Sequence, residues 1–303
     1  MSFIHHPKSG LYTYLSTHQT TLLQAVVHQW NLTHSRKRIL FQSNMSEAET
    51  KTEVFTITDM REPASEKDNT NKKTCIFEQY VQPCLVELLG TMLFVFVGCS
   101  SVIGNVGTTS AIQPAVAHGL ALAVLIMMFG QISGGHFNPA VSLCAYLCGG
   151  MELLLLVPYI LAQMLGGMVG ASFARAVLPP EVYANSTGGA LVVLSNDLAI
   201  VTLAEMIMTM FLTLVVCMGA INSQTQTPMA PFCIGLTVTA NIFAGGMVSG
   251  ACMNPARAFG PAVVANHWDH HWIYWVGPIG GALVTVTFVR FVLGDRKTRI
   301  WLK

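Results

Sequence analysis

Long apolar runs separated by short polar breaks occupy most of the chain. Six stretches are long enough to cross a bilayer: roughly 82–104, 111–132, 151–177, 197–220, 230–248 and 270–293. A crossing needs about 20 apolar residues. Two shorter apolar pieces remain, opening on Asn138-Pro139-Ala140 and Asn254-Pro255-Ala256. As helices they would be about 15 Å and about 16 Å long, at ~1.5 Å per residue. Placed end to end they match a hydrocarbon core of about 30 Å. The pattern therefore predicts an all-α polytopic membrane protein. Six transmembrane helices carry it, with two re-entrant half-helices that enter from opposite sides and meet at the middle.

The chain also repeats itself. Ser133-Gly134-Gly135-His136-Phe137-Asn138-Pro139-Ala140 matches Ser249-Gly250-Ala251-Cys252-Met253-Asn254-Pro255-Ala256. Glu87 and Glu205 fall at matching places in the first and fourth spans, and Tyr159, Gln163 and Gly166 match Tyr274, Pro278 and Gly281. The repeats run over about 79–180 and 195–294. Three spans per repeat is an odd number, so the second repeat must sit upside down relative to the first. Inverted repeats with interrupted helices place their site near the membrane midplane.

Charge sharpens this division. Of 31 charged residues, 17 lie in residues 1–78, 9 in residues 79–294 and 5 in residues 295–303. A soluble domain carries about 25% charged residues, so the middle block is not one. The expected organisation is a polar N-terminal extension (1–78), a channel domain (79–294) and a basic tail (295–303). Residues 1–44 are acid-poor and rich in Ser and Thr, with Arg36, Lys37 and Arg38. They read as a disordered cytosolic tail, as an extension upstream of a start at Met45, or as a mitochondrial targeting segment. Lys72, Lys73, Arg296, Lys297, Arg299 and Lys303 flank the spans and put both termini in the cytosol. The loop 178–196 then faces out, and Asn185-Ser186-Thr187 is a candidate glycosylation site. A net charge of +1 excludes nucleic acid as the main partner. The eight cysteines show no C-x-x-C pair and read as small buried hydrophobes. Cys144 and Cys148 share a helical face, but two soft ligands do not make a metal site, so no metal or other cofactor is expected.

The two Asn-Pro-Ala turns carry the chemistry. Asn is a good helix N-cap and Pro is favoured in the next position. Each side-chain oxygen would cap its own helix and leave the amide NH₂ as a fixed pair of donors. Each helix end also carries about +0.5 charge. At about 5 Å and an effective dielectric of about 20, each end repels a cation by ~1.7 kcal/mol. Arg257 adds to that barrier. A neutral water molecule escapes the repulsion and is turned with its oxygen toward the Asn amides, which breaks a proton wire. Backbone carbonyls of Gly134, Gly135, His136, Gly250, Ala251 and Cys252 would line the path as acceptors. Glu87 and Glu205 are expected to accept hydrogen bonds from backbone N–H groups of the re-entrant segments. The competing reading makes them a proton relay in an ion channel or proton-coupled transporter. An intramembrane enzyme built on Ser133, His136 and Glu87 lacks any nucleophile motif.

The duplicated Asn-Pro-Ala motif in matched contexts resembles the major intrinsic protein family, the aquaporins and glycerol channels, over about residues 80–303. The local text Gln82-Pro83-Cys84-Leu85-Val86-Glu87, Ala117-His118-Gly119, Asn266-His267-Trp268 and Gly294-Asp295-Arg296 carries the likeness further, to one branch of it. The resemblance implies a homotetramer in a lipid bilayer with one pore per subunit. It also implies a selectivity filter, here His118, Ile242, Ala251 and Arg257. Strict water channels of the family have an aromatic residue on the second span and His on the fifth, where this chain has His118 and Ile242. The wider constriction that follows would pass ammonia and hydrogen peroxide beside water, as resemblance to that branch also implies. Glycerol channels carry Asp after the motif's Arg, where Ala258 stands here, and lack the aromatic pair Tyr274-Trp275. Cys252, beside the pore lining, is the candidate target of mercurials. The expected membrane is the plasma membrane, with the mitochondrial inner membrane as the other choice.

Overall fold

The computed structural model describes residues 75–108, 110–296 and 298–300. The expectations for residues 1–74, including the segment before Met45, and for Lys297 and Lys303 lie outside the described residues. Every regular element among the described residues is helical.

Among the described residues, six helices are long and apolar enough to span a membrane: α1 (Phe77–Ile103), α2 (Ile112–Ser133), α4 (Leu153–Val177), α6 (Leu198–Ile221), α7 (Ala230–Ser249) and α9 (Ile273–Leu293). The half-helices are α3 (Pro139–Leu147) and α8 (Pro255–Ala265), and a short α5 (Pro180–Asn185) lies between the repeats. The first span takes in residues 77 and 78, assigned above to the extension. The sixth begins at Ile273 because residues 268–272 form turns instead. At the other boundary Asp295 and Thr298 are buried, and Asp295 accepts from Ser223 Oγ and from Thr298 N. The start of the tail is therefore packed against the channel domain.

The packing follows the repeat. α1 packs on α4 as α6 packs on α9; α8 packs on α4 as α3 packs on α9; α2 and α7 pack on each other across the centre. Lipid offers no hydrophobic drive between helices, so close approach depends on small residues. A Cβ on Gly166 would meet Leu88 O at 2.4 Å, and one on Gly281 would meet Met206 O at 2.2 Å. Gly119 and Gly235 face each other's carbonyls in the same way at the α2–α7 crossing. Large apolar side chains such as Leu161 and Phe243 point outward, as a lipid-facing surface requires.

Candidate functional site

The site is built from two matched loops that turn back into the bundle. α2 and α7 end on left-handed glycines, Gly134 (φ 86°) and Gly250 (φ 79°). Positive φ recurs at Gly135 and Phe137 in one loop and at Ala251 and Met253 in the other. Residues with a Cβ resist this conformation, so something must hold Phe137, Ala251 and Met253 there.

The two buried acids do so. Glu87 accepts from Ser133 Oγ (2.7 Å), His136 N (2.9 Å), Phe137 N (2.6 Å) and Gln163 Nε2 (2.8 Å). Glu205 accepts from Ser249 Oγ (2.6 Å), Cys252 N (2.8 Å) and Met253 N (2.8 Å). Pro278 stands where the first repeat has Gln163, so the second acid has one donor fewer. Both oxygens of each carboxylate are engaged, and the N–H groups they receive belong to loop backbone that otherwise lacks partners at membrane depth. The hydroxyls of Tyr159 and Tyr274 donate to Ser133 O (2.9 Å) and Ser249 O (2.8 Å), anchoring the loops from the other side. Ser133 and His136 form no nucleophile–base pair. The Ser133 hydroxyl donates to Glu87, and His136 Nδ1 pairs with Ser142 Oγ at 3.1 Å.

The half-helices meet tip to tip. Asn138 Oδ1 caps α3 by accepting from Ala140 N (2.9 Å); Asn254 Oδ1 caps α8 by accepting from Ala256 N (3.0 Å) and Arg257 N (3.2 Å). Pro139 and Pro255 occupy the first helical position, and Ala140 and Ala256 are fully buried behind them. The expected pair of available donors on each amide is corrected here. Asn138 Nδ2 donates to Met253 O and Asn254 Nδ2 to Phe137 O, both at 2.9 Å. Those two carbonyls, held inward by the left-handed backbone, would otherwise be buried without a donor. One N–H per amide remains for anything that passes.

One cavity of about 1250 Å³ runs through the bundle, lined by both asparagines, by the loop residues Gly134, Gly135, His136, Gly250, Ala251 and Cys252, and by His118, Ile242 and Arg257. Glu78 and Gly150 line it toward one end, Asn105 and Thr187 toward the other. Arg257 Nε donates to His118 Nε2 (3.1 Å) and Nη1 to Gly189 O (3.1 Å). Because Nε2 accepts, the ring proton sits on Nδ1 and is given to Pro114 O at 2.7 Å. The imidazole is therefore neutral, and a positive guanidinium held by neutral acceptors stands in the conduit wall. Gly98 makes room for this ring, since a Cβ there would lie 2.5 Å from His118 Nε2. Cys252 also lines the cavity, but its thiol donates to Asn254 O (3.0 Å) and packs with Ala258 and Tyr274. Asn185 is exposed at the end of α5, next to Ser186 and Thr187, which line the cavity.

The profile named Major intrinsic protein matches residues 76–288. The chain belongs to the major intrinsic protein family. Aquaporin-8 of Rattus norvegicus is 53% identical over 229 residues, covering 75% of this chain and 87% of that one. Aquaporin TIP1-2 of Musa acuminata is 37% identical over 219 residues, covering 67% of this chain and 83% of that one. The X-ray structure of the aquaglyceroporin from Plasmodium falciparum superimposes with a TM-score of 0.63 at 22% identity, covering 71% of this chain and 97% of that chain, and shows the shared fold. As a member of the major intrinsic protein family, this protein is a multi-pass membrane channel and not an enzyme.

Sequence reasoning missed Gly189, whose carbonyl orients Arg257 and which follows a left-handed turn at Gly188. The only signal was the Gly188-Gly189 pair in a loop. It also missed Cys217, which joins Cys144 and Cys148 in a cluster of three buried thiols. No spacing rule ties Cys217 to the other two.

Proposed function

We propose that the channel conducts water passively and excludes ions and protons, with ammonia and hydrogen peroxide as further permeants. The observation that carries the reading is the reciprocal amide–carbonyl pair at the meeting of two helix N-termini inside one continuous cavity. A water molecule there meets one N–H from Asn138 and one from Asn254 and turns its oxygen to both. Its own hydrogens then point outward along the file, and it cannot relay a proton. A cation meets two positive helix ends and Arg257 instead, and it loses hydration that a few carbonyls replace incompletely.

His118, Ile242, Ala251 and Arg257 act as the filter. Ile242 and Ala251 present an aliphatic and a small side chain to the constriction opposite the His118 ring, which supports passage of ammonia and hydrogen peroxide. Glu87 and Glu205 act as braces for the loops, and their occupied oxygens speak against a proton-coupled transporter. By family resemblance the protein works as a homotetramer in the bilayer with one pore per subunit, both termini cytosolic, and Asn185 outside and open to glycosylation. The plasma membrane is the proposed location. Imaging chains begun at Met1 and at Met45 tests it, and a mitochondrial pattern confined to the longer chain would overturn it.

The functional test is stopped-flow light scattering on proteoliposomes, with ammonia and peroxide uptake on the same vesicles. Osmotic shrinkage faster than in protein-free vesicles, without net current, is expected. Shrinkage at the protein-free rate removes the water-pore reading, and current that rises with flux favours the ion-channel alternative.

A further inference from the structure

Beneath the conduit wall lies a cluster that the pore does not use. Cys144 sits on α3, Cys148 caps its C-terminus one turn later, and Cys217 opens the π-turn that ends α6. The Cys144 and Cys217 sulfurs are 3.5 Å apart, those of Cys217 and Cys148 are 3.7 Å apart, and all three lie within 4.8 Å of one another. All three side chains are buried.

We propose that these three sulfurs form a binding site for one Cu(I) ion per subunit. A three-coordinate ion with metal–sulfur bonds of about 2.3 Å needs sulfurs about 4.0 Å apart, close to the spacing already present. The remaining wall is Ala140, Ala282 and Val289, with Leu214, Met218, Ile221 and Val286 behind; the Met218 sulfur takes a contact from Asn222 Nδ2 at 3.8 Å. The Thr213 hydroxyl lies beside Cys144 but donates to Thr209 O (2.8 Å), and one hydroxyl cannot supply the several oxygen ligands that calcium, magnesium and manganese need. Zinc in a closed site takes four ligands, and this pocket offers three. Soft sulfur ligands in low number select Cu(I) among the common ions.

Charge and access fit as well. Binding displaces thiol protons and leaves the site anionic, and the charge of Arg290 on the last turn of α9 acts on Cys148 to offset it. Cys148 is followed directly by Gly149 and Gly150, which line one mouth of the cavity, and space around Gly149 is open. The cluster therefore lies next to a mouth of the cavity, on the near side of the Asn-Pro-Ala constriction. Once bound, the ion would tie the half-helix of the first repeat to α6 of the second.

The test uses the purified full chain, reduced and held without oxygen, titrated with Cu(I) against a chromogenic Cu(I) chelator. One ion per subunit is expected, with X-ray absorption showing only sulfur neighbours at about 2.3 Å. Cys144→Ala and Cys217→Ala each abolish the stoichiometric site. The Cys75→Ala/Cys233→Ala double variant, which removes two exposed thiols, leaves it intact. Water flux of the single variants stays at the wild-type level and serves as the folding control. Unchanged Cu(I) binding in both single variants, nitrogen or oxygen neighbours in the wild-type spectrum, or zinc displacing Cu(I) would each overturn the proposal. So would peptide mapping that finds Cys144 and Cys217 joined as a disulfide in the protein as isolated. The wild-type spectrum decides the matter even if a variant fails to fold.

Discussion

Replacing Gly260 with Ala puts a methyl group where α8 crosses α4. An added Cβ would lie 2.2 Å from Gly167 O and 2.4 Å from Gly167 C, against an ordinary contact of 3.4–4 Å. Both obstacles are backbone, so no side chain can swing away, and α8 must move off α4 by about 1.2 Å. Overpacking of this kind costs about 1–3 kcal/mol. The displaced helix also carries Asn254, whose 2.9 Å bond to Phe137 O has little room to lengthen. Stability and water flux should therefore fall together. Gly130→Ala is the control, because its added Cβ meets nothing closer than Ile126 Cγ2 at 3.6 Å, and a helical Gly→Ala change there stabilises by up to about 1 kcal/mol. Thermal unfolding in detergent and stopped-flow shrinkage of proteoliposomes read the two effects. If Gly260→Ala unfolds at the wild-type temperature and conducts at the wild-type rate, the close crossing does not position the half-helix.

Further outcomes follow from the same geometry. Asn254→Asp keeps the helix cap but sets a negative charge at the meeting point. At about 5 Å and a dielectric of about 20 it attracts a cation by ~3.3 kcal/mol, so cation conductance in planar bilayers should rise about 100-fold or more; an unchanged conductance would count against helix-end repulsion as the barrier. Glu205→Gln leaves Cys252 N or Met253 N without an acceptor whichever way the amide sits, costing about 1–3 kcal/mol and lowering water flux; a variant as stable and as conductive as the parent refutes the bracing role. A mercurial should block the wild type and spare Cys252→Ser, and equal block of both removes Cys252 as its target. Burial in the aromatic turn before α9 lowers the basicity of His271, whose Nε2 accepts from Trp275 Nε1 at 3.1 Å. The folded protein then takes up this proton less readily than the unfolded chain. Stability is full above the ordinary imidazole value of about 6.5 and declines as pH falls below it, with a flatter profile expected in His271→Gln; identical melting profiles for the two proteins would refute this.

Much of the architecture was legible because its physics is local or repeated. Apolar length marks α1, α2, α4, α6, α7 and α9, and the Asn-Pro pairs mark where α3 and α8 begin, since capping needs only neighbouring residues. Recurrence of Glu87 as Glu205 showed that both acids serve the same kind of loop. What stayed hidden depends on contacts between distant parts of the chain. The hold of Asn138 on Met253 O, the hold of Arg257 on His118 and Gly189, and the approach of Cys217 to Cys144 join residues brought together only by packing. Packing of Asp295 against Ser223 was concealed for the same reason, since a charged residue after the last span reads as tail.

The exchange of amide and carbonyl between the two turns has a consequence for biosynthesis. When the first repeat leaves the ribosome, Asn138 has no Met253 to grip and Phe137 O has no Asn254 to answer it. Neither tip can settle until the other has been made and inserted. Maturation of the conduit is thus a late event, and a chain cut short after α4 leaves its entering half-helix unlatched.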